Sequence, residues 1–343
     1  MSKTPTISEL LNISGSQYRI YDIGRKIEKI SKADFEKIED NRLPYPSPSQ
    51  GHAFVAIAFW QKDSPGPYLW FVKLPLDERG LLVQASRDHF VAIIVEALGS
   101  DLSVDPSSRQ EELLKSNPYH FTPSQYKLAF LNSLLKIAIK QPASEFFTSA
   151  KSYIEGKVAW DNWHNIGVQG LTDVVARVED VPHKTIADAL PHLPEQVLLP
   201  LCSALENVSL APELIEQIIE QLQADTLATT TQSALTRALA SSCQHPYVIN
   251  HFSTLLTSKE IALNEELLII IAGRCWQVLQ MPALMMAFLE ALVCAEEQQL
   301  FPSIFKDLVA IPQIRPILFQ CMRDPSRSDA LGKAIGLLFN QAN

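Results

Sequence analysis

Residues 235–256 read LTRALASSCQHPYVINHFSTLL, and their phase decides the fold. Counting back eleven, seven and three residues from Pro246, then forward two, six and ten, picks out Leu235, Leu239, Cys243, Val248, Phe252 and Leu256. The same frame on Pro282 gives Ile271, Cys275, Leu279, Leu284, Phe288 and Leu292. On Pro312 it gives Phe301, Phe305, Val309, Ile314, Leu318 and Met322. Pro212 yields Leu201, Leu205, Ser209, Leu214, Ile218 and Leu222, so Ser209 is the one polar member of the set. Of these 24 positions 23 are apolar, in a chain that is 47% hydrophobic.

Steps of four keep side chains on one slowly drifting stripe of a helix, so each proline is flanked by two amphipathic helices. Proline fits the first turn of the second helix, where its missing N–H had no partner, and it pushes the preceding residue out of helical geometry. Successive prolines lie 34, 36 and 30 residues apart. Repeats of ~20–50 residues mark solenoids, in which a helix pair hides its stripe against its neighbours. An irregular helical domain whose pairs merely look alike is the plainer alternative.

Upstream the frame weakens. Pro142 keeps Leu131, Leu135 and Ile139 but then meets Ser144, Thr148 and Ser152; Pro182 keeps Leu171 and Val175 and then meets Glu179, Lys184, Asp188 and His192. Atypical pairs are expected near 123–155 and 160–192. Ser328 is placed to cap a last helix carrying Leu331, Ile335 and Leu338.

Residues 1–100 follow another pattern. Runs at 18–23, 53–60 and 68–74 are rich in β-branched and aromatic residues, and Asp63-Ser64-Pro65-Gly66-Pro67 between the last two signals a hairpin turn. Alternation puts Tyr68 and Trp70 on one face and Leu69 and Phe71 on the other. Ser31-x-x-Asp34 opens a helix to residue 39, and 86–98 reads as a helix laying Phe90 and Ile94 on the sheet. Leu43-Pro44-Tyr45-Pro46-Ser47-Pro48-Ser49 must be an extended loop. The expectation is an α+β module at 1–100, a linker at 101–108, and an all-α solenoid of stacked helix pairs at 109–343.

Composition excludes several classes. Of the net charge of −9, residues 178–300 alone carry 4 basic against 15 acidic side chains. Such a surface repels a phosphate backbone, so no nucleic-acid partner is expected. It would favour a basic protein or peptide, although a merely solvated acidic face is the plainer account. No glycine-rich phosphate loop, His-Glu-x-x-His or Gly-x-Ser-x-Gly occurs, so no cofactor is expected. The five cysteines have no paired spacing; no metal is expected, and they read as buried free thiols of a reducing compartment. The start lacks a signal-peptide pattern, and the most apolar stretch, 281–295, is too short to span a bilayer. A soluble, cytoplasmic protein without membrane contact is expected.

One segment is dense in functional side chains: Trp160-Asp161-Asn162-Trp163-His164-Asn165. On a helix Trp160, Trp163 and His164 share a face, with Asp161 one turn from His164. The carboxylate and imidazole could act as an acid–base pair or the aromatics as binding anchors. The plainer reading is a structural junction, with both tryptophans packed on the next pair. His183, His192 and His245, beside prolines, are expected to cap turns or face solvent.

The repeats resemble HEAT or armadillo arrays, though at about 30–36 residues per pair they are shorter than the ~40–47 of those families. Ile7-Ser8-Glu9-Leu10-Leu11, the Tyr45-Pro46-x-Pro48 loop and the helical tail together resemble an uncharacterised family of bacterial proteins classed as a domain of unknown function. That resemblance covers essentially the whole chain and implies no activity, cofactor or site. Two functions from different classes fit, and the first is favoured. One is a non-enzymatic interaction or scaffold protein, with Glu213, Glu216, Glu220, Asn250, His251 and Gln313 on exposed second helices. The other is an enzyme or small-molecule sensor with a site at the junction of the α+β module and the first helix pairs, near Trp163 and His164.

Overall fold

The computed structural model describes residues 5–61, 66–99, 110, 112, 114, 116–224, 227–258, 261 and 264–340. The expected linker at 101–108 and most of the 63–67 turn lie outside the described residues. The chain divides into two compact units, Met1–Pro123 with Val309–Pro312, and Ser124–Leu308 with Gln313–Asn343.

The first unit is a four-stranded antiparallel sheet with three helices among its described residues. Strands β1 (Gln17–Asp22), β2 (Glu28–Ile30), β3 (His52–Trp60) and β4 (Tyr68–Pro75) lie in the order β2-β1-β3-β4. The hairpin pairs Phe59 with Tyr68 and Ala53 with Leu74, as the alternation requires. Its inner face stacks Phe59 on Tyr68 (5.6 Å), sets Trp70 against Phe59 at a tilt (4.4 Å), and brings Trp70 edge-on to Phe90 at 6.0 Å. On the other face Phe54 and Phe71 both meet Phe121, while Leu69 stands exposed. Residues 119–121 run along β4, with Lys73 N–H donating to Tyr119 O (2.7 Å) and Phe121 N–H to Phe71 O (3.3 Å). This covers an edge that would otherwise present unpaired backbone.

Helix α1 (Ile7–Ile13) opens with a Thr6–Glu9 capping box, α2 (Lys32–Glu39) with Ser31 accepting from Asp34 N–H, and α3 spans Gln84–Leu98. Glu39 ties the three together. Its buried carboxylate accepts the N–H groups of Ile7 (2.6 Å) and Ser8 (3.0 Å) at the free end of α1, and its carbonyl accepts from Arg87 and Gln84 on α3. Burial raises the Glu39 carboxyl, opposed by these hydrogen bonds and by Arg87. The proline-rich loop delivers Tyr45, fully buried, whose hydroxyl donates to Asp22 (2.5 Å).

The second unit is all-helical among its described residues. Its helices are α4 (Gln125–Ala138), α5 (Phe147–Ile154), α6 (Val168–Ala176), α7 (His183–Ala189), α8 (Glu195–Leu205) and α9 (Pro212–Leu222). There follow α10 (Thr229–Ala238), α11 (Pro246–Thr257), α12 (Glu265–Gly273), α13 (Pro282–Val293), α14 (Leu300–Val309), α15 (Arg315–Arg323) and α16 (Asp329–Asn340). They form two layers. First helices pack on first helices in the order α4, α6, α8, α10, α12, and second helices on second in the order α5, α7, α9, α11, α13, α15. This is the nearest-neighbour stacking of a helical solenoid. Hydrogen bonds recur at one-pair separation, among them Ser133 Oγ to Asp173 (2.7 Å), Leu210 N–H to Ser242 Oγ (2.9 Å) and Ser328 N–H to Glu290 (2.8 Å).

The frame lies on the buried seam, apart from half-buried Leu222, Val309 and Met322 and the exposed Ser209. All six positions around Pro246 and all six around Pro282 are buried, and exposed Ser209 is the polar one. Pro212, Pro246 and Pro282 each begin a helix. Pro312 does not: it lies in a turn, and α15 starts at Arg315 with Pro316 in its first turn. Pro316 suits that first turn, and Ile311 and Ile314, which precede the helix, are both fully buried. Ser328 does cap α16, accepting from Leu331 N–H at 3.1 Å. No described helix is long and apolar enough to cross a membrane. Four cysteines are buried, Cys202, Cys243, Cys275 and Cys321. Cys294, at the C-terminal end of α13, is exposed, correcting the expectation that all five are hidden.

Candidate functional site

The segment Trp160–Asn165 is a 3-10 turn with a kink at Asn162, rather than an α-helix. Trp160 stacks on His192 (5.5 Å, 13° between planes) and meets Tyr153 edge-on at 5.2 Å, and its carbonyl accepts from the Tyr153 hydroxyl (2.7 Å). Trp163 stacks on His164 at 4.0 Å. Both tryptophans are half-buried, and Asp161 and His164 are exposed. Among the described residues Asp161 and His164 form no hydrogen bond with each other. Asp161 acts instead on Tyr153, whose hydroxyl is raised by burial and then by that carboxylate. The four residues Trp160, Asp161, Trp163 and His164 thus share a turn, with Trp160 fastening it to α5 and to His192.

The flanking histidines are structural. His183, buried, accepts Ala211 N–H through Nδ1 (3.0 Å), capping α9; His245 is the N-cap of α11. Burial lowers the His183 imidazole, partly opposed by Glu213.

A concavity lies between successive second-layer helices. The groove, about 560 Å³, runs between α9 and α11. Glu216, Ile219 and Glu220 of α9 and its C-cap Gln223 line one side, and Tyr247, Asn250, His251, Thr254 and Leu255 of α11 and its C-cap Ser258 the other. Each set follows the i, i+3, i+4, i+7 spacing of one helix face. Glu216 and Glu220 are exposed, and no ion pair involves either among the described residues. The described basic residues of 178–300 are engaged elsewhere, Lys184 with Asp188, and Arg237 and Arg274 with Glu206. His251 packs on Phe252 (5.5 Å), its Nε2 is shut off from water with no hydrogen-bond partner, and burial lowers its imidazole.

Four of the six polar residues expected on second helices, Glu216, Glu220, Asn250 and His251, meet in this groove. Glu213 and Gln313, both exposed, do not line it. Ile219, Tyr247 and Leu255 escape a search for functional side chains because they are apolar. Their signal is phase: they fall off the buried stripe, at +7 from Pro212 and at +1 and +9 from Pro246. Among the described residues no group of three or more His, Cys, Asp or Glu could hold a metal ion.

Fold and groove together define the class: a helical-repeat protein with a small α+β unit and an acidic, partly apolar groove on its second helix layer. Residues 2–339 match the family described as Protein of unknown function (DUF3549), and the chain belongs to that family. No curated protein and no solved structure matches it.

Proposed function

We propose that the chain is a non-enzymatic scaffold whose helical unit binds a protein or peptide partner on its second helix layer. The α9–α11 groove supports this reading. Its lining sets Ile219, Tyr247 and Leu255 beside Glu216 and Glu220, which form no ion pair among the described residues. Stacked repeats commonly serve as extended binding surfaces, which is an argument by analogy of architecture. The net charge of 178–300 favours a basic partner and disfavours nucleic acid. Four buried thiols suit a reducing compartment such as the cytoplasm.

Affinity purification of the full chain from its native host at low and moderate salt tests the reading. A partner that re-binds as a purified protein, stoichiometrically and more weakly as salt rises, is the expected result. No partner at either salt counts against it.

A further inference from the structure

We propose that the second helix layer carries an acid-operated joint: protonation of His183 on α7 and His251 on α11 loosens α9, the helix that lies between them. The joint is a property of the array and needs no partner.

Both rings are placed so that a second proton breaks a contact. His183 is buried, and its Nδ1 accepts the N–H of Ala211, the N-cap of α9, at 3.0 Å. An imidazolium has an N–H on each nitrogen. Donor would then face donor, beside the positive end of the α9 dipole. The Nε2 atoms of His183 and His251 are both sealed from water without a hydrogen-bond partner. A charged ring with such a buried N–H is costly. Burial accordingly lowers both imidazoles.

The surrounding charges do little to offset this. Glu213, in the first turn of α9, favours a charged His183 but is outweighed by burial. On α7, Lys184 pairs with Asp188, and from α5 Lys151 donates to Asp180 O while Tyr153 donates to Trp160 O. His192 stacks on Trp160. Around His251, Glu216 and Glu220 line the same groove, yet neither meets its sealed Nε2. Glu290 of α13 is bonded to Ser328, and Arg237 of α10 to Glu206.

The helix between the two rings is lightly held. Of α9 only Leu214, Ile215 and Ile218 are buried, and of α11 only Val248, Phe252 and Leu256, whereas α8 buries eight residues and α13 six. Segments with few buried apolar contacts open before the rest. Opening frees both rings to protonate near their ordinary value of about 6.5. Below it, each pH unit favours the open form by up to about tenfold per histidine, until the lowered value of the closed form is reached.

Hydrogen exchange of the full chain, read segment by segment by mass spectrometry and corrected for the intrinsic effect of pH on exchange, tests the joint. From pH 7.5 to 5.5, protection of 212–222 and 246–257 should fall about tenfold or more, while that of 282–293 in α13 stays within about twofold. The variant His183→Asn/His251→Phe keeps an acceptor at 183 and the ring shape at 251, and in it the loss at 212–222 should vanish. No loss at 212–222, an equal loss at 282–293, or the same loss in the double variant overturns the proposal. The comparison of segments in the wild-type chain decides the matter even where the double variant fails to fold.

Discussion

Glu206 at the end of α8 and Arg237 on α10 are joined across two successive helix pairs: Oε2 accepts from Arg237 Nε (3.0 Å) and Nη2 (2.9 Å). Arg274, just past α12, approaches the same oxygen at 3.5 Å, so one carboxylate links three consecutive first-layer helices. The glutamate is almost wholly buried, while the two arginines stay partly exposed. Breaking one partner of a buried pair costs more than forming it yields, because the other charge is stranded. Arg237→Met is therefore expected to destabilise by ~2–3 kcal/mol, and Glu206→Gln/Arg237→Met by clearly less than the sum of the single changes. Urea unfolding of the four proteins checks this; additive losses would show that the charges act independently.

Gly170 on α6 has no room for a side chain. A Cβ there would lie 2.6 Å from the Phe146 carbonyl oxygen and 2.9 Å from Ala150 Cβ, so α5 and α6 can approach closely only with glycine. Gly170→Ala should cost ~1–3 kcal/mol. Gly336 on α16 meets nothing within 4 Å, and Gly336→Ala should stabilise by ~0.5–1 kcal/mol. Melting temperatures moving in opposite directions are the expected readout.

The fold holds His183 neutral, since burial lowers its imidazole and Nδ1 must stay free to accept Ala211 N–H. The unfolded chain protonates at its ordinary value, about 6.5. Protons therefore favour the unfolded state: the contribution is complete above that value and is lost as pH falls below it, toward the lowered folded value. His251 acts in the same direction. Stability measured by urea between pH 5 and 7.5 should fall on acidification, with a shallower slope in His183→Asn. An unchanged slope would remove His183 from the account.

Thiol accessibility separates one cysteine from four. Cys294 is exposed and should react with a water-soluble disulfide reagent at once in the native protein. Cys202, buried and pushed up to about 12, Cys321, also raised by burial, and buried Cys243 and Cys275 should react only on unfolding. Two or more fast thiols per chain would contradict the packing of the seam.

Much of the architecture could be read from residue order because it is local. A stripe repeating with the helical period must face a neighbour, and every position of the Pro246 and Pro282 frames does so. Ser31, Ser328 and the alternation of β3 and β4 were legible for the same reason, since caps and pleats act within a few residues. Shorter elements were not: β2 has only three residues, and its place beside β1 comes from pairing with Ile20–Asp22. The Trp160–Asn165 segment holds the right residue types for a site, but helix-face logic misjudged its backbone, and the stacking of Trp160 on His192 joins residues 32 positions apart.

The sequence by itself determined two kinds of unit, the phase of the buried seam and the acidic balance of the array, because periodicity and charge belong to the chain wherever it folds. Only the tertiary structure decided which exposed faces meet. Glu216 and His251 share a groove, and Glu206 finds two arginines, because stacking sets one helix pair beside the next. That registry comes from packing between pairs, which no single segment encodes.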